Sequence, residues 1–204
     1  MTKKETIDYY RDIVGRVDHT SKYHPVVVEK AISAACNSVI YEAFKNRFLQ
    51  NIDLYLKGYP SIAVAKDAVT KDWYITLPTT IMQLPILGDG VREITSPETH
   101  SVEFVPMTTE TASMYKYLEA SQVMNHIGYT VLLDRVVFTD LESRLGTTIN
   151  SVNLRLVRPF EAYEDNETFY IPAGQDEKVD QLVLSKLGII RPTGLKNDNN
   201  GGLK

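Results

Sequence analysis

Over the first third of the chain, apolar residues recur at three- and four-residue intervals. Ile7, Tyr10, Ile13, Val14 and Val17 share one side of the stretch Thr6 to Val17, which predicts a short amphipathic helix. Gly15 and the polar run Asp18-His19-Thr20-Ser21-Lys22 interrupt it. Pro25 suits the first turn of a second helix, where its fixed φ fits and its missing N–H leaves nothing unsatisfied. From Pro25 to about Leu49, the residues Val28, Ile32, Ala35, Cys36, Val39, Ile40, Ala43, Phe44, Phe48 and Leu49 make one broad apolar face. Glu29, Lys30, Asn37, Glu42, Lys45 and Arg47 fall largely off it. A helix of about 25 residues spans about 37 Å, which marks a framework element rather than an ordinary globular helix.

Near Tyr59-Pro60 the pattern changes to strict alternation. Ile62 to Asp67 and Trp73 to Leu77 flank a polar link and predict a hairpin. Pro78 and Pro85 bracket an extended stretch in which Ile81, Leu84 and Ile86 pack. Gly88-Asp89-Gly90 reads as a turn, Val91 to Ile94 as a short strand, and Ser101 to Val105 as another strand stopped by Pro106. Thr108 to Glu119 reads as a helix capped by Thr108 or Thr109, with Met114, Tyr117 and Leu118 inward. Tyr129 to Leu133 and Val136 to Thr139, joined at Asp134-Arg135, form the clearest hairpin. Ser151 to Arg158 alternates, with Val152, Leu154 and Leu156 opposite Asn153, Arg155 and Val157. A last helix runs from about Gln175 to Leu187 and ends at Gly188.

Segregated blocks of this kind predict an α+β fold. A pair or bundle of N-terminal helices including the long one (1–58) precedes a mainly antiparallel β region (59–174) carrying an inserted helix at about 108–119. A closing helix (175–188) and a polar tail (189–204) follow. The tail, rich in Asn and Gly, is expected to order only on a partner.

Composition narrows the function classes. With 43% hydrophobic and 24% charged residues the chain is expected to pack as a globule. Twelve Tyr against one Trp favour half-buried positions and protein interfaces. A net charge of -4 argues against a basic face that wraps nucleic acid. The single Cys36 cannot form an internal disulfide, which fits a reducing compartment. The N-terminal residues show no signal peptide, and no run approaches the ~20 apolar residues of a membrane span, so a soluble, cytoplasmic protein is expected.

Candidate chemistry is sparse. Gly88-Asp89-Gly90 lacks the length and the Lys-Ser/Thr of a phosphate loop. His19, His24, His100 and His126 are dispersed without metal-ligand spacing, and His19 and His24 suit solvated or capping roles. Cys36 lies on an apolar face that offers a thiolate nothing. The acidic cluster Glu161, Glu164, Asp165 and Glu167 reads as a solvated hairpin tip. Asn197-Asp198-Asn199-Asn200 resembles the opening of a calcium loop but has no closing glutamate. No catalytic constellation emerges, so the expectation is a protein that is not an enzyme and needs no cofactor or metal.

A series of segments carries a resemblance. Tyr23-His24-Pro25 opens the long helix, and Ile62-Ala63-Val64 and Trp73 to Pro78 follow. Then come Leu84-Pro85, Gly90 to Ile94, Phe104-Val105-Pro106, Tyr129-Thr130-Val131 with Val136-Val137-Phe138, and Val152 to Phe160. Tyr170-Ile171-Pro172, a helix and the Asn197 to Asn200 tail close the series. In this order the chain resembles the head-to-tail connector (neck, or ring) proteins of short-tailed bacteriophages, especially crAss-like phages. The resemblance spans nearly the whole chain and rests on the order of elements rather than on any one motif.

That resemblance implies a virion structural subunit assembled in the bacterial cytoplasm, about twelve copies forming a closed homo-oligomeric ring. The ring would bind the portal protein and the neighbouring ring or tail proteins. Double-stranded DNA would pass through its channel without specific binding, and no membrane would be involved. Candidate contact residues are Tyr41, Phe44 and Phe48 on the long helix and Asn197, Asp198, Asn199 and Asn200 in the tail. Two other readings stay open: a small bacterial protein-binding or regulatory module, and an enzyme assembled from dispersed residues such as Glu164, Asp165 and His126.

Overall fold

The computed structural model describes residues 1–17, 23–46, 52–86, 88–97, 102–115, 126–139, 141 and 149–189. Among these residues the fold is mixed α+β, with four helices and two mainly antiparallel sheets.

Helix α1 (Lys3–Val17) starts earlier than the apolar spacing suggests because Thr2 and Glu5 form a capping box. The Glu5 N–H donates to Thr2 Oγ1 at 3.2 Å, and the Thr2 N–H donates to Glu5 Oε2 at 2.8 Å. Helix α2 (Pro25–Lys45) opens as predicted, with Pro25 in the first turn and His24 Nδ1 accepting from the Val26 N–H at 3.3 Å. Its buried face is Val28, Ala31, Ile32, Ala35, Cys36, Val39, Ile40, Ala43 and Phe44. The helix ends at Lys45 with Asn46 as its C-cap, short of the predicted end near Leu49; residues 47–49 lie outside the described ones.

Strand β1 (Leu56–Ala63) pairs antiparallel with β8 (Ser151–Val157), which also pairs with β4 (Val91–Thr95), giving the order β1-β8-β4. The expected strand Ile62 to Asp67 is split: Ile62 and Ala63 end β1, which reaches back through Pro60 to Leu56, and only Ala65 and Lys66 pair with Tyr74 and Trp73 as a hairpin. Pro60 has no N–H for the ladder, and the edge strand absorbs it in a bulge between Tyr59 and Ile62. There Ser61 takes φ +55°, and its N–H donates to Asn153 Oδ1 at 2.9 Å.

The second sheet runs β2 (Ala65–Lys66), β3 (Trp73–Thr76), β7 (Arg135–Thr139), β6 (His126–Leu132), β5 (Glu103–Pro106). Strands β5 and β6 are parallel, which demands a crossover, and helix α3 (Thr109–Tyr115) lies in it. Thr108 Oγ1 caps α3 by accepting from the Thr111 N–H at 3.1 Å. Its inward residue is Tyr115, whose hydroxyl donates to the His126 carbonyl at 3.0 Å, whereas Met114 points outward at 72% exposure. Tyr117 and Leu118 lie outside the described residues.

Two cores result. The first joins α1, α2 and α4 (Asp176–Lys186) with Met82, Val157, Phe160 and Phe169. The second lies between the sheets and includes Ile75, Val136, Phe138, Leu154 and Leu156. Strand β8 serves both, since Leu156 enters one core and the next residue, Val157, enters the other. Where they meet, the Met82 N–H donates to the Val157 carbonyl at 2.9 Å and the Val157 N–H to the Gly90 carbonyl at 2.8 Å. Helix α4 closes in a complete Schellman motif around Gly188 at φ +69°, with Ile189 N–H on the Leu184 carbonyl and Gly188 N–H on that of Ser185.

Candidate functional surface

Helices expose four unpaired N–H groups at their N-termini and a partial positive charge with them. At α1 these are met by the acidic segment of the chain. The Lys3 N–H donates to the Glu167 carbonyl at 2.9 Å, and the Lys4 N–H to the Asp165 carbonyl at 3.1 Å. The Glu164 and Asp165 side chains are exposed as expected, but the backbone of this segment forms a clasp on the start of α1 rather than a hairpin tip. Glu167 anchors it, accepting from Arg158 Nη1 at 2.8 Å, Lys57 Nζ at 2.7 Å and the Glu164 N–H at 2.9 Å. Burial works against its charge, yet these hydrogen bonds prevail and hold its carboxyl at about 2. Arg158 itself is buried, its guanidinium 4.2 Å from the centre of the Tyr163 ring. Among the described residues its Nε has no hydrogen-bond partner.

Glu161 turns the other way, toward α2. It accepts from Ser33 Oγ and from Asn37 Nδ2, while Asn37 Oδ1 accepts from the Phe160 N–H at 2.8 Å. Despite its partial burial, these bonds and the nearby Lys3 keep the Glu161 carboxyl below its usual value. Together these groups frame an open groove of about 520 Å³ between α1 and α2. Ile7, Val26, Ala34 and Phe160 give it an apolar floor, and Lys3, Glu29 and Lys30 stand on its polar rim. Glu29 is held by Arg11, and Lys3 Nζ donates to the carbonyls of Glu161 and Tyr163. Among the described residues neither Lys3 nor Lys30 has an ion-pair partner, and Lys3 is the one of the two held by hydrogen bonds.

Of the predicted contact residues, Tyr41 is on the surface of α2 at 38% exposure. Phe44 is buried at 8% and meets Tyr55 edge-on, their ring centres 6.3 Å apart, so it belongs to the chain's own core. Phe48, Asn197, Asp198, Asn199 and Asn200 lie outside the described residues, as do His19 and His100. His126 pairs with Glu103 at 3.0 Å on the β5–β6 rung, whereas Glu164 and Asp165 belong to the clasp at α1, so the three have separate surroundings. Cys36 is buried and its thiol is pushed up to about 12 by that burial. Among the described residues no group of three His, Cys, Asp or Glu side chains is placed to hold a metal ion. No helix among them is long and apolar enough to cross a membrane.

Sequence reasoning missed the groove, whose walls come from α1, α2 and the turn at Phe160–Ala162 and give no local signal. It also missed two separate pairs of exposed apolar residues: Val26 and Val27 at the start of α2, and Leu132 and Leu133 at the β6–β7 turn. No family model matches this sequence, and no curated protein does either.

Proposed function

We propose that the chain is a non-enzymatic structural subunit of a phage neck. Copies assemble into a ring that joins the portal to the tail and lets DNA pass. The observation that carries this reading is the apolar surface left over once both cores are closed. Helix α2 buries nine residues and still exposes Val26, Val27 and Tyr41 on its other sides. Large apolar side chains in water at the border of a groove mark surfaces meant for other proteins. The ring form, the portal contact and the virion location rest on the sequence resemblance. A net charge of -4 suits a channel through which DNA slides without sticking.

The test is mass photometry of the purified chain alone and with the portal protein encoded in the same genome. Oligomers of about twelve subunits, alone or seeded by portal, are the expected result. A chain that stays monomeric with portal at high concentration overturns the proposal. A defined one-to-one complex with some other protein, and no larger species, would instead favour the regulatory-module reading.

A further inference from the structure

The β6–β7 hairpin ends in a two-residue connection, Leu133–Asp134, between the paired residues Leu132 and Arg135. Such turns normally use Asn, Asp or Gly where φ is positive. Here Leu133 takes φ +48°, a conformation that disfavours any side chain, and it is 96% exposed. Leu132 beside it is 50% exposed, and neither belongs to either core. A leucine that is both strained and in water contributes nothing to this chain's own stability.

We infer that this tip is a plug for the α1–α2 groove of a second copy of the chain. The occupant follows from complementarity between two surfaces of one molecule. The groove floor is apolar and open, and the plug presents two adjacent leucines. Charge matches as well. At the tip the Arg135 guanidinium is drawn back over the Tyr74 ring at 4.6 Å and toward Asp67 at 3.7 Å. It reaches Asp134 only through Nε at 3.9 Å, leaving the Asp134 carboxylate outward at 74% exposure. At the groove Arg11 offsets Glu29 and Lys3 lies near Glu161, which leaves Lys30 as the unbalanced charge. Leu133 enters the floor while Asp134 meets Lys30 on the rim.

Plug and socket are different surfaces, so each copy presents one of each to its two neighbours. A contact of this heterologous kind propagates and closes into a ring when the rotation allows. The inference therefore rests on the ring reading proposed above and names the contact that builds it.

The experiment measures self-association of the full chain by sedimentation velocity over a range of concentrations. Leu133→Asp leaves both cores untouched, which its melting curve checks, and raises the concentration for half-association by roughly tenfold or more. Asp134→Lys and Lys30→Glu each weaken association, and the double variant restores it. A mixture of Leu133→Cys and Ala34→Cys chains gives a disulfide-linked dimer under oxidation that neither gives alone; buried Cys36 does not compete. Wild-type rings with unaltered Leu133→Asp rings and no crosslink would overturn the plug and leave the ring standing. A wild-type chain that stays monomeric at every concentration, with portal present, overturns both.

Discussion

Arg158 Nη1 donates to Glu167 Oε2 at 2.8 Å, one of the bonds that hold the acidic segment against the start of helix α1. The partners are nine residues apart, yet they tie strand β8 to the first turn of the chain through the Glu167 and Asp165 carbonyls. The same segment sends Glu161 to α2, so one loop sets the spacing of the two helices that wall the groove.

Stability should therefore depend on Glu167 in acid. Its folded carboxyl sits at about 2 against an ordinary 4.5, so its contribution is complete above about pH 4.5 and fades as pH falls toward 2. Glu167→Gln is expected to lower stability by about 1–3 kcal/mol at neutral pH and to flatten that acid limb. Urea midpoints between pH 2 and 7 check this. An acid limb identical in both proteins would show that the clasp is not held by charge.

Gly90 is expected to resist even one added methyl group. A Cβ there would meet the Met82 carbonyl oxygen at 2.7 Å and that of Val157 at 2.8 Å, both backbone atoms at the junction of the two cores. Gly90→Ala should destabilise by about 3 kcal/mol. Gly58→Ala, with nothing within 4 Å of its Cβ, should be neutral or slightly stabilising. Denaturant melts of the pair separate a steric effect from a general intolerance of substitution.

Cys36 gives a built-in reporter of opening. Its thiol is buried and pushed up to about 12, so a maleimide at neutral pH should leave the native chain unlabelled. Labelling should become complete in denaturant. Rapid labelling of native protein would mean that α2 parts readily from α1 and α4.

Tyr41 and Phe44 are three positions apart on α2 and should behave oppositely. Phe44→Asp places a charge in a closed core and is expected to unfold the chain, at about 4 kcal/mol or more. Tyr41→Asp changes a surface position and should alter stability by less than about 1 kcal/mol while weakening association. Circular dichroism melts with sedimentation runs distinguish the two effects.

The features legible in sequence were those settled locally. The inward register of α2, its opening at His24-Pro25, the alternation of β8 and the stop at Gly188 all depend on residues within a turn or two. The start of α1 was legible as well, in the Thr2-Lys3-Lys4-Glu5 capping pattern, although the apolar spacing alone pointed to Thr6. What stayed hidden depends on distant partners. The bulge that carries β1 past Pro60 relies on Ser61 meeting Asn153, 92 positions from it, and the inward residue of α3 is chosen by the His126 carbonyl. The acidic run is solvated at Glu164 and Asp165 as its composition suggests, but its backbone contact with the α1 N-terminus has no local signal, and the groove exists only once three separate segments meet.

Electron microscopy of particles assembled from the chain and its portal tests the central claim most directly. Class averages should show a closed ring of about twelve subunits seated on the portal, with a lumen wide enough for duplex DNA. Portal particles carrying no added ring, with the chain left monomeric in solution, would contradict it.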